Sequence, residues 1–74
     1  MKRNPHPLMV EARRLRKESG LTQMHIAKIC GVPFNSINRW EVGKHLPSIA
    51  SASDYLQSLG YRLKIELIKD GAPK

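Results

Sequence analysis

Apolar residues recur along the first part of the chain at steps of three and four, the spacing that lines one face of an α-helix. Leu8, Ala12 and Leu15 make such a stripe, with Arg13, Arg14, Lys17 and Glu18 on the other faces, and predict a first helix over residues 8–19. Pro7 suits its first turn, where no N–H is needed, and Gly20 ends it in the left-handed conformation that glycine takes without strain. Thr22 is a natural cap for a second helix over residues 23–30, with Ile26, Ala27 and Cys30 inward and Gly31 as its stop. Pro33 and Gly43 bracket a third, over residues 34–42, in which Ile37 and Trp40 turn inward together. Ser48 caps a fourth that runs to residue 59, its inner stripe being Ile49, Ala52, Leu56 and Leu59. Only Gly31, Val32 and Pro33 separate the second and third helices, and a three-residue turn containing glycine is the cue for a helix-turn-helix.

After Gly60 the period changes. Tyr61, Leu63, Ile65 and Leu67 alternate with Arg62, Lys64 and Glu66, which predicts a strand with one apolar face over residues 61–69. A lone strand leaves a row of unpaired N–H and C=O groups, and no second candidate strand exists in this chain. Pairing with the same strand of a second copy across a two-fold axis solves this economically, and makes Tyr61, Leu63, Ile65 and Leu67 the dimerisation residues. The alternative is an extended tail packed on the helices.

Length and composition narrow the class. Seventy-four residues make one small domain, and 41% hydrophobic with 26% charged residues is the composition of a soluble globular protein. No apolar run approaches a membrane span, and the basic N-terminus has no apolar stretch behind it, so neither a membrane anchor nor a signal peptide is expected and the expected location is cytoplasmic. The lone cysteine, Cys30, makes no internal disulfide and reads as a small buried hydrophobe. His6, His25 and His45 lack metal-ligand spacing, the serines lack His and Asp company, and no glycine-rich phosphate loop occurs. No metal, no cofactor and no enzymatic activity are therefore expected. Thirteen Lys and Arg against six acids leave a net charge of +7, which points to a polyanion: nucleic acid first, an anionic membrane surface second.

Residue order sharpens that choice. Leu15-Arg16, Gly20-Leu21-Thr22-Gln23, Ile26-Ala27, Gly31-Val32, Ile37, Arg39-Trp40-Glu41, Gly43, Pro47 and Ser48 together resemble the XRE/Cro-type (lambda-repressor-like) helix-turn-helix family, without a gap from Ala12 to Gly60. The trailing alternation resembles antitoxin-type, HipB-like members, in which such a strand builds the dimer. The resemblance implies a mainly α fold of four to five helices with one C-terminal strand pairing across a homodimer. The expected organisation is a flexible basic arm over residues 1–7, the DNA-binding domain over 8–60, the dimerisation strand over 61–69 and a frayed tail over 70–74.

The resemblance also implies roles. Arg16 and Glu41 are expected to form a partly buried ion pair tying the first helix to the end of the third; the alternative is two solvated charges. The third helix is the recognition helix, whose N-terminal part enters the major groove while the second helix crosses the backbone. Base readers are expected at Phe34, Asn35, Asn38 and Arg39, with Arg39 suited to guanine O6 and N7 and either asparagine to adenine N6 and N7. Phe34 stands where a polar residue is common, and either meets a thymine methyl or folds back onto the domain. Pro33 stands where Ser or Thr usually caps, so fixed φ takes over that task. Phosphate contacts are expected from Gln23 at the second helix N-terminus, from Ser36, and from Lys44 and His45. Val42 replaces an asparagine often used there. Lys2 and Arg3 either reach a minor groove or stay solvated.

The expected function is a sequence-specific, double-stranded DNA-binding transcriptional regulator, most simply a repressor holding a palindromic operator as a homodimer, bacterial or phage-encoded. Two further readings share the motif: an antitoxin that holds a toxin and represses its own operon, and a phage regulator of an anti-CRISPR operon. A reading of another class, a basic protein-binding or membrane-surface module, predicts liposome binding without preference among DNA sequences.

Overall fold

Each helix of this computed structural model begins and ends on a local signal, and residues 4–69 and 71 are described. The order is α1 (Pro7–Glu18), α2 (Gln23–Cys30), α3 (Phe34–Val42) and α4 (Ile49–Ser58). At the start of α1, His6 Nδ1 accepts the Leu8 N–H at 3.0 Å. Thr22 Oγ1 accepts from the His25 N–H at 3.1 Å and Ser48 Oγ from the Ser51 N–H at 3.0 Å, each satisfying a donor that the first helical turn leaves free. Pro33 caps α3 without a side-chain hydrogen bond, at φ −62° and ψ 148°. Gly31 and Gly43 close α2 and α3 at φ +70° and +88°, which lets the chain reverse at once into the next element.

The core lies where the four helices converge. α2 packs against both α3 and α4, and α1 against α3. Met9, Ala12, Ile26, Ala27, Ile37, Trp40, Tyr55 and Leu56 are buried together. Ala27, 4% exposed, keeps α2 close to its neighbours because a larger side chain has no room there.

Four expectations need correction. On α1 the innermost line is Met9, Ala12 and Arg16, while Leu8 and Leu15 are only partly buried; Ala12 is common to both lines, and the steps on either side of it change from four and three to three and four. The buried arginine conceals that register in a hydropathy pattern. On α4, Tyr55 is fully buried and Ile49 is 66% exposed. Ile49 sits in the first turn of α4 and lines a shallow apolar groove with Leu8, Leu46, Ala52, Leu63 and Ile65. Cys30 is half-buried, and burial, then the charge of Asp54, pushes its thiol pKa up.

The strand expected over residues 61–69 is the fourth correction. Among the described residues there are four helices and no strand, and 61–69 runs on from α4 without regular structure. A strand exists by its ladder, and the described residues hold no segment to supply one. Of the alternating residues only Leu63 packs against the core; Tyr61, Ile65 and Leu67 are exposed. The arm residues Lys2 and Arg3 and most of the 70–74 tail lie outside the described residues.

Candidate nucleic-acid interface

α3 has two chemically different sides. Ile37, Trp40 and Glu41 are buried, whereas Phe34, Asn35, Asn38 and Arg39 are exposed. The inward side is held by one carboxylate. Glu41, 1% exposed, accepts from Arg16 Nε at 2.8 Å on Oε2 and from Arg16 Nη2 at 2.9 Å on Oε1, a two-pronged pairing that fixes both planes. Arg16 Nη1 donates to the Leu21 carbonyl at 2.8 Å, which ties the end of α1 to the turn before α2. Tyr55, from α4, donates its hydroxyl to Glu41 Oε2 at 2.6 Å. Gln23, from α2, donates Nε2 to Glu41 Oε1 at 3.1 Å. Arg13 Nε lies 3.7 Å from Oε1 at the half-exposed edge.

Side chains from each of the other three helices thus converge on the α3 carboxylate, and these bonds tie α3 to all three. Burial alone would raise the Glu41 carboxyl pKa, but the hydrogen bonds from Arg16, Tyr55 and Gln23 outweigh it and hold the group below the ordinary carboxylate range. The hydrogen bond to Glu41 pushes the Arg16 guanidinium further up. Burial, then the bond to the Glu41 carboxylate, pushes the Tyr55 hydroxyl up as well. All three keep their neutral-pH charge states.

The outward side is supplied differently. Phe34 is 48% exposed and borders a concavity with Leu21, Thr22, Gln23 and Met24 at the start of α2, so its ring is neither in the core nor free of the domain. Asn35 and Arg39 are exposed on successive turns, and Arg39 makes no ion pair among the described residues. Ser36 is half-buried in the first turn, its N–H given to the Pro33 carbonyl. Lys44 and His45 follow α3 with exposed side chains, but both their backbone N–H groups are committed to the Arg39 carbonyl, at 2.9 and 3.3 Å. Any phosphate contact there falls to the side chains.

Gln23 begins α2 as expected, and its side chain makes contacts that the sequence did not suggest. It is half-buried, and its amide nitrogen faces α3, 3.1 Å from Glu41 Oε1 and 3.4 Å from Asn38 Oδ1. Its backbone N–H, not its side-chain amide, is the donor left at the N-terminus of α2. The structure therefore brings Gln23, Asn38, Glu41 and Arg16 together and leaves Phe34, Asn35, Arg39, Lys44 and His45 as separate exposed groups. Sequence reasoning missed Tyr55. Its position three residues after Ala52 on the inner face of α4 was the available signal. Among the described residues no helix is long and apolar enough to cross a membrane.

A family model described as helix-turn-helix matches residues 13–65, well over half of the chain. No curated protein matches it.

Proposed function

The chain belongs to the helix-turn-helix family, as a DNA-binding transcriptional regulator of the XRE type, and from that premise we propose that it represses transcription as a homodimer on a palindromic operator. Recognition is by α3, whose exposed Phe34, Asn35, Asn38 and Arg39 meet base edges in the major groove, while the N-terminus of α2 crosses the phosphate backbone. The observation that carries this reading is the division of α3: an outward face whose arginine makes no ion pair among the described residues, on a helix whose inward face is held by a buried ion pair. A face built to stay rigid in the absence of ligand loses little conformational freedom on binding.

Each side chain has a task in this reading. Arg39 offers two parallel donors to guanine O6 and N7, and Asn35 offers a donor and an acceptor to adenine N6 and N7. The half-exposed Phe34 ring meets a thymine methyl. Lys44 and His45 approach phosphates beyond the end of α3, together with the free N–H of Gln23. The Arg16–Glu41 pair has no contact with DNA and serves to aim the helix.

Dimerisation is assigned to residues 61–69. Exposed Tyr61, Ile65 and Leu67 beside an apolar groove, on a segment with unpaired backbone groups, support pairing with a second copy. Two copies place two recognition helices on half-sites about 34–36 Å apart, or a multiple of that, along one face of the duplex. Bound across a promoter in the cytoplasm of a bacterium, the dimer excludes polymerase.

Selection of binding sites from a random duplex pool at stated salt tests this directly. The expected product is an inverted repeat with a fixed half-site spacing. Enrichment of no sequence, with equal retention of anionic liposomes and scrambled duplex, would reject it in favour of a basic surface module.

A further inference from the structure

The hydrogen-bond chain from the buried carboxylate to the exposed face of α3 has a direction. Glu41 is an ionised acceptor, so the Gln23 amide has to present its NH₂ group and not its oxygen at 3.1 Å. The second hydrogen of that NH₂ faces Asn38, and a donor there repels another donor, so Asn38 turns its Oδ1 inward at 3.4 Å. The Asn38 NH₂ is then left outward, exposed and without a partner among the described residues. Glu41 itself is not free to turn, because Arg16 holds both of its oxygens and Tyr55 one of them.

We propose that Asn38 meets DNA solely as a hydrogen-bond donor, aimed by Gln23, and therefore reads an acceptor: guanine O6 or N7, thymine O4, or a phosphate oxygen, with adenine N7 within its chemistry but not favoured over guanine because the adjacent N6 donor opposes it. An asparagine that grips adenine needs its carbonyl to receive the N6 hydrogen while its NH₂ serves N7. Here that carbonyl faces Gln23 and is turned away from the exposed side, although one of its lone pairs is unused. The alternative that assigned adenine to Asn38 is replaced, while Asn35, which has no such tether, keeps it. Gln23 becomes a positioning residue that sets the preference of a side chain other than its own. This assignment rests on the operator reading and deepens it by one contact.

Binding of the full chain to its selected operator, and to the operator with each base pair changed in turn, tests the assignment for wild type, Asn38→Ala and Gln23→Ala. Asn38→Ala is expected to weaken the selected operator by about 3- to 10-fold, the weight of one hydrogen bond. If that loss is confined to one base pair, wild type should prefer guanine or thymine there. Gln23→Ala, which frees the Asn38 amide to turn over, should then raise adenine at that base pair relative to wild type. If the loss is equal on all sequences and is reproduced by one methylphosphonate linkage, the acceptor is a phosphate. An adenine preference in wild type that vanishes with Asn38→Ala overturns the assignment and leaves the operator reading intact, as does an Asn38→Ala variant that binds every sequence as tightly as wild type. A wild-type protein with no sequence preference removes the operator reading itself.

Discussion

A single buried carboxylate ties α3 to the three other helices. Glu41 is buried among donors from α1, α2 and α4. Replacing it strands the Arg16 charge and two neutral donors in the interior. Glu41→Ala is expected to destabilise the fold by about 3–5 kcal/mol, read from urea midpoints at neutral pH. The same group sets the acid limit. Its folded pKa lies below the ordinary 4.5, so its contribution is complete above that value and is lost as pH falls through the lower, folded one. Stability of the wild type should therefore fall steeply below about pH 4.5, whereas Glu41→Gln should start lower and show a flatter acid limb. Arg39 carries the opposite kind of weight. It is exposed and unpaired, so Arg39→Ala should leave the melting temperature nearly unchanged and cost about 1–3 kcal/mol of operator binding, with preference relaxed at one base pair. Equal loss on specific and scrambled duplex in a competition shift assay would remove Arg39 from the base readers.

At the scale of elements, the turn between α2 and α3 decides how the recognition helix leaves its support. Gly31 sits at φ +70°, and a Cβ built there meets nothing within 4 Å. The cost of a side chain is therefore conformational and not a clash. Gly31→Ala should destabilise by about 1–2 kcal/mol with operator contacts unchanged at saturating protein. A loss of base preference at saturation would show that the turn also steers α3. Pro33 achieves by a fixed backbone angle what a serine cap does by a hydrogen bond, and so α3 starts cleanly at Phe34.

For the molecule as a whole, charge and association are the remaining quantities. A net charge of +7 on 74 residues makes binding salt-dependent, and Lys44, exposed beside the recognition helix, makes no ion pair among the described residues. Lys44→Ala should weaken all duplexes alike and reduce the slope of log affinity against log salt by about one unit. An unchanged slope would strike it from the phosphate contacts. Leu67 is fully exposed in the single chain. Leu67→Asp should shift sedimentation toward monomer and weaken a two-half-site operator far more than a single half-site; an unaltered dimer would place the association surface elsewhere.

Much of this domain is legible in residue order because caps, glycines and apolar spacing act within one or two turns. Thr22, Ser48, Gly31 and Gly43 bound their helices where the order of residues says they should, and the exposed face of α3 follows from the inward pair Ile37 and Trp40. Other features depend on groups far apart in the chain. Met9, not Leu8, is innermost on α1 because Arg16, on its line, must reach Glu41 twenty-five positions away. Gln23 looks toward α3 instead of solvent because that carboxylate needs another donor, and residues 61–69 stay irregular because a ladder requires a second strand. Local sterics and capping are properties of neighbours in sequence. Which face turns inward, and which end of an amide faces outward, is settled only when the fold brings distant charges together.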